Sequence, residues 1–83
     1  MTSDKQYIEN ELYITLVTIA GLYQVETVWL QRVYDRGMLG TGVRAGASVS
    51  IPAVRMDRVA TIVRMHAVLG LDLESIELAL TDR

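Results

Sequence analysis

An eleven-residue segment, Gly-Thr-Gly-Val-Arg-Ala-Gly-Ala-Ser-Val-Ser at 40–50, lies between two stretches of regularly spaced apolar residues. Three glycines among small side chains make this a flexible loop or hairpin and divide the chain into two helical parts. In the part before it, Tyr13-Ile14-Thr15-Leu16 alternates and is β-branched, which predicts a short strand. Val17 to Tyr23 then reads as a short helix, with Leu16, Ile19, Ala20 and Tyr23 spaced for one face. Gln24-Val25-Glu26 breaks the pattern. Glu26 or Thr27 opens a second helix, where an acid or hydroxyl meets unpaired amides. Leu30 and Val33 share a face of that helix, Arg36 suits its last turn, and Gly37 stops it in the left-handed conformation.

After the segment, Ser50 before Ile51-Pro52 reads as a helix start, with serine as cap and proline in the first turn. Val54 to Leu69 is the longest periodic stretch, with Met56, Val59, Ile62 or Val63, His66 and Leu69 on one face, and Gly70 ends it. Asp72 caps a last helix whose Leu73, Ile76 and Leu80 face inward. The expected order is strand, helix, tight turn, helix, glycine-rich hairpin, long helix, short helix. Two short helices joined by a three-residue turn form a helix-turn-helix, and the hairpin after them is a wing.

Length allows one domain: 83 residues bury about 60–65% of the surface of the unfolded chain, with no room for a cleft between lobes. We read residues 1–11 as a polar N-terminal arm and 12–83 as the domain. At 51% hydrophobic the chain is too apolar to be disordered, and part of that surface is available for an interface. The absence of cysteine excludes a disulfide framework and a thiolate metal site. No basic-then-apolar leader opens the chain. Its longest near-apolar run, Leu16 to Leu22, is far short of the ~20 residues of a membrane span. The expectation is a cytoplasmic, soluble protein.

Charge is segregated. Residues 1–26 carry Lys5 against Asp4, Glu9, Glu11 and Glu26, a net −3; residues 27–70 carry six arginines against Asp35 and Asp57, a net +4; residues 71–83 carry Asp72, Glu74, Glu77 and Asp82 against Arg83, again −3. The total is −2, with seven arginines to one lysine. Arginine suits planar, hydrogen-bonded partners such as carboxylate or phosphate. Eight basic residues give only a weak grip on a nucleic-acid backbone.

The order of elements and its landmarks resemble the MerR-like superfamily. The matching residues are Ile14, Leu16, Ala20, Val25 and Leu30, then Asp35-Arg36-Gly37-Met38-Leu39, and after the hairpin Ile51, Met56, Val59, Ile62 and Leu69 with Gly70-Leu71-Asp72-Leu73-Glu74-Ser75-Ile76. The resemblance covers about residues 13–80. It implies a mainly α fold: a MerR-like winged helix-turn-helix of four helices with a short β-hairpin wing. DNA-binding members carry an Arg-Tyr-Tyr-Glu-like run in the second helix, where this chain has Gln31-Arg32-Val33-Tyr34. Their wing is basic, whereas this one has Arg44 alone and ends Val49-Ser50-Ile51. The phosphate-contacting surface is thinned at both places.

Within the superfamily, Arg64-Met65-His66 and the run from Leu69 to Leu80 are similar to the C-terminal pattern of the bacterial chaperone-modulator family of the CbpM and DafA type. That resemblance implies a non-enzymatic modulator or assembly factor that binds the Hsp70 (DnaK) and J-domain protein (DnaJ) system and regulates or bridges it, without cofactor or metal.

Trp and Arg are enriched at binding hot spots. Trp29 and Arg32 lie off the Leu30–Val33 face, so Trp29 either covers the edge of a small core or anchors a partner. Tyr23 and Tyr34 flank it with the same two readings. The acids Asp72, Glu74 and Glu77 form either a solvated helix face or, with Glu26 and Asp35, a complement to a basic J-domain helix. The partner-binding set is therefore Glu26, Trp29, Arg32, Asp35, Arg36, Asp72, Glu74 and Glu77. The alternative is a small MerR-like transcriptional regulator that contacts phosphates through Arg32, Arg36, Arg44, Arg55 and Arg58 and dimerises for affinity. A structural adaptor for an unrelated protein is a third reading. The lone His66 is read as a packing or surface residue. Gly40-Thr41-Gly42 with Gly46 has the wrong spacing for a phosphate loop. Asp35–Arg36 and Asp57–Arg58 are expected as solvated charge pairs.

Overall fold

Left-handed residues and a side-chain cap in the turns between helices set the architecture. The computed structural model describes residues 5–8 and 11–81. Its elements are β1 (Lys5–Ile8), β2 (Glu11–Thr15), α1 (Leu16–Tyr23), α2 (Thr27–Asp35), β3 (Val43–Ala45), β4 (Ser48–Pro52), a 3₁₀ turn (Ala53–Arg55), α3 (Met56–Ala67) and α4 (Leu73–Thr81). The fold is mainly helical, with four helices and a small antiparallel sheet in the order β1-β2-β4-β3.

From Glu11 onward the elements follow the expected order. In front of them β1 pairs with β2, Lys5 opposite Ile14 and Ile8 opposite Glu11, so this hairpin crosses the boundary drawn between arm and domain. The remaining residues of the arm, 1–4 and 9–10, lie outside the described residues, as do Asp82 and Arg83. Leu16 belongs to α1 rather than to the strand, because the Thr15 hydroxyl accepts from the Thr18 amide at 3.2 Å and starts the helix there.

The α1–α2 turn is a Schellman closure. Gln24 takes φ +58°, and the Val25 amide reaches back to the Ala20 carbonyl at 3.0 Å. Gly37 ends α2 in the same way, at φ +82°, with Met38 donating to Val33. Gly70 (φ +71°) separates α3 from α4. The Asp72 carboxylate then accepts from the Ser75 amide at 2.8 Å, as expected of the cap.

One expectation is corrected at residues 50–55. Ser50-Ile51-Pro52 does not start a helix; it is the end of β4. Ser50 lies between two neighbours, Thr15 of β2 and Val43 of β3, and its pairing with both strands takes precedence over any capping role. Ile51 is fully buried opposite Ile14. The long helix consequently begins at Met56, after the 3₁₀ turn, and ends at Ala67. Its inward face is Val59, Ile62 and Val63, with Met56 half-buried. Leu69 lies beyond the helix and is exposed.

The core is one cluster. It joins Leu16, Ile19 and Ala20 of α1, Leu30 and Val33 of α2, Met38 and Leu39, the buried side of the sheet, the inward face of α3, and Ile76 of α4. Leu73 and Leu80 pack against it. Gly42 is the one glycine whose backbone neighbour leaves no space: a Cβ there would collide with the Ser50 carbonyl, so the chain entering β3 lies directly on β4. No helix among the described residues is long and apolar enough to cross a membrane.

Candidate functional site

On α2, Leu30 and Val33 point into the core, which turns Trp29 to the edge, half-buried. On α3, His66 follows Val59 by seven residues and so shares its inward side, but at the last turn, where the core has ended. The two rings meet there. The Trp29 and His66 centroids are 4.4 Å apart with planes 24° from parallel, a stacked pair joining α2 to α3. His66 Nδ1 lies 3.3 Å from the Leu71 carbonyl, which ties the imidazole to the turn leading into α4.

This stack is a ridge between two open grooves. One, of about 400 Å³, is bounded by Arg32 and Arg36 of α2 and by Asp72, Leu73 and Glu74 at the start of α4. The other, of about 390 Å³, is bounded by Gln24, Val25, Glu26 and Ala67. Arg36 reaches Glu77 of α4 at 2.8 Å, an exposed ion pair across 41 residues of sequence. Asp72 is held below the usual carboxylate range, first by the Ser75 amide, then by the Ser75 side chain, with the positive charge of Arg36 adding to both. It is therefore an anion at neutral pH. The site combines an aromatic ridge, two arginines and an acidic rim, which suits a partner that stacks or packs on the ring and carries charges of both signs.

Of the residues expected to bind a partner, Trp29, Arg32, Arg36, Asp72 and Glu74 line one groove, Glu77 joins it through Arg36, and Glu26 lines the other. Asp35 is not brought to either groove; it accepts from the Gln31 side chain one turn earlier, at 3.0 Å. Tyr34 is occupied in the fold, its hydroxyl accepting from the Gly42 amide at 3.0 Å.

The charge pairs expected at Asp35–Arg36 and Asp57–Arg58 are not formed. Consecutive helical residues point about 100° apart and do not face each other. The one ion pair among the described residues is Arg36–Glu77.

No family model, curated protein or solved structure matches this chain.

The five arginines expected to touch phosphates are divided among two grooves and β3. Arg55 Nη1 donates to the Leu39 and Thr41 carbonyls at 2.8 and 2.7 Å. Arg58 Nε donates to the Met38 carbonyl at 3.1 Å. Both hold the 38–41 loop against the start of α3. Arg36 is paired with Glu77. Arg32 faces the Trp29 groove, and Arg44 stands alone on β3. Among the described residues no three His, Asp or Glu side chains converge as metal ligands.

Sequence periodicity placed His66 on the inward face of α3 but gave no sign of its stacking partner, which belongs to another helix. It likewise gave no sign that Arg55 and Arg58 bind main-chain carbonyls. Isolated arginines near a glycine-rich turn are the available signal, and they read equally well as phosphate contacts.

Proposed function

We propose that this chain is a MerR-like winged helix-turn-helix domain that works by binding protein: a modulator or assembly factor for the Hsp70 (DnaK) and J-domain protein (DnaJ) system. The chaperone assignment rests on the sequence resemblance over Leu69–Leu80. The order of elements supports the fold reading: α1 and α2 joined by a three-residue turn, then the β3–β4 hairpin, then α3 and α4.

The observation that carries protein over DNA is what the arginines do. Arg55 and Arg58 spend donors on carbonyls of their own chain, and Arg36 is neutralised by Glu77. Of the five arginines weighed for phosphate contact, Arg32 and Arg44 remain, on different elements, too few for a backbone-tracking surface. What the molecule offers instead is the Trp29–His66 ridge with its acidic rim of Glu26, Asp72 and Glu74. A basic helix laid along the ridge would meet an aromatic anchor and complementary charge.

The test is calorimetric titration of the chain against the J-domain protein and Hsp70 of its own organism, singly and together. A complex forms with one or both, Trp29→Ala weakens it by about 30-fold or more, as expected for a hot spot, and Glu74→Lys weakens it in a salt-dependent way. Absence of any complex at micromolar concentration refutes the chaperone reading. Duplex-DNA binding that falls steeply with salt would put the regulator reading in its place.

A further inference from the structure

The face of α3 opposite the core has no neighbour within the chain. Asp57, Thr61 and Arg64 follow one another at spacings of four and three, which draws a single stripe along α3, and Val54, in the 3₁₀ turn before the helix, and Val68, just after it, continue that spacing at the two ends. Val59, Ile62 and Val63 occupy the buried side, so this stripe points straight outward. Its two ends are apolar: Val54 and Val68 are each 75% exposed. Single exposed valines are ordinary on a monomer. Here they close both ends of one stripe, and each borders an open groove, of about 640 Å³ beside Val54 and Met38 and about 540 Å³ beside Val68 and Tyr23. Between the valines sit one acid and one base, Asp57 and Arg64, neither paired with a side chain among the described residues.

We propose that this face binds a second copy of the chain, with the two α3 helices antiparallel about a two-fold axis beside Thr61. The pattern is its own complement under that rotation. Asp57 and Arg64 are equidistant from a point between Ala60 and Thr61, so each Asp57 stands opposite Arg64 of the second copy, giving two identical ion pairs. Val54 comes over the Ala67–Val68 turn of the second copy, where the groove beside Tyr23 receives it, and Val68 enters the groove beside Met38. Ala60 and Thr61, both small, let the helices approach at the crossing. A parallel arrangement would set Asp57 against Asp57 and Arg64 against Arg64. The stripe lies on the side of α3 away from His66, so the dimer leaves the groove bounded by Arg32, Arg36 and Glu74 open. An interface built on one helix of 12 residues falls at the small end for specific association, below about 1,200 Å² in total, and the dimer dissociates on dilution.

Sedimentation equilibrium over a series from micromolar to millimolar chain tests this. The wild-type mass rises toward twice that of one chain. Asp57→Arg or Arg64→Asp alone sets like charges face to face and raises the dissociation constant at least about tenfold, and the double exchange Asp57→Arg with Arg64→Asp restores wild-type association. Both positions are solvent-facing, and restoration in the double variant separates loss of the interface from loss of the fold. A wild-type mass that stays at one chain up to millimolar concentration overturns the proposal, as does association indifferent to both single reversals.

Discussion

Trp29 and His66 illustrate how much one pair of side chains can settle. Both lie at the rim of the core, where burial alone gives little, and the stack joins α2 to α3 there. A stacked aromatic pair contributes about 0.5–1.5 kcal/mol beyond its buried area. A double-mutant cycle with Trp29→Ala and His66→Ala, read by urea denaturation, should return a coupling energy in that range, and additivity of the two losses would show that the rings do not interact. Asp72 acts differently, through a proton. Its carboxyl is more acidic in the folded chain because the Ser75 amide, the Ser75 side chain and Arg36 all favour the anion. A group more acidic when folded adds stability above its unfolded pKa and loses it as pH falls through its folded one. Asp72→Ala should therefore lower the urea midpoint at neutral pH, and the gap to wild type should close below the usual aspartate range. A gap that persists in acid would place the effect elsewhere than the capping bond.

At the scale of elements, the 38–41 loop is held by side chains in addition to its own backbone bonds. Arg55 gives two bonds to its carbonyls and Arg58 one. Charged hydrogen bonds of this kind contribute roughly 1–3 kcal/mol each when buried and less at a partly exposed site. Arg55→Ala should cost about 1–2 kcal/mol in thermal or chemical unfolding, whereas Arg44→Ala, with no such bond, should stay within about 0.5 kcal/mol. Equal effects at the two positions would contradict the structural role given to Arg55. The elements themselves were legible from sequence wherever a local device fixes them. Gly37 and Gly70 stop helices, Asp72 starts one, and the inward faces of α1, α2 and α4 follow from spacing alone. The misreading came at Ser50-Ile51-Pro52, whose local signal is that of a helix start. Pairing with β2 and β3 on both sides decided otherwise, and β2 is far away in sequence. The site was legible in its residues but not in its assembly. Six of the eight residues chosen for partner binding gather at the groove between α2 and α4, and Glu26 lies in the groove across the ridge. The His66 stack and the Arg36–Glu77 pair depend on how α3 and α4 dock, which periodicity does not report.

For the molecule as a whole, the segregated charge of the sequence is folded into closer contact than its linear order suggests. The acidic C-terminal segment docks on the basic middle through Arg36 and Glu77, so opposite charges alternate around the Trp29 groove instead of forming one field. A partner is thus selected by pattern more than by net charge. The sheet imposes a constraint of another kind. β2 pairs with β4, and between them lie α1, α2 and the first strand and tip of the glycine-rich hairpin. Each of those intervening units closes on local contacts, which form in about a microsecond to ten microseconds. The Ile14–Ile51 ladder can close only after the intervening chain has been drawn in. Loop closure therefore predicts that β2 joins β4 late in folding, and lengthening the hairpin tip at Gly46 should slow refolding only slightly, because closure entropy grows with the logarithm of loop length.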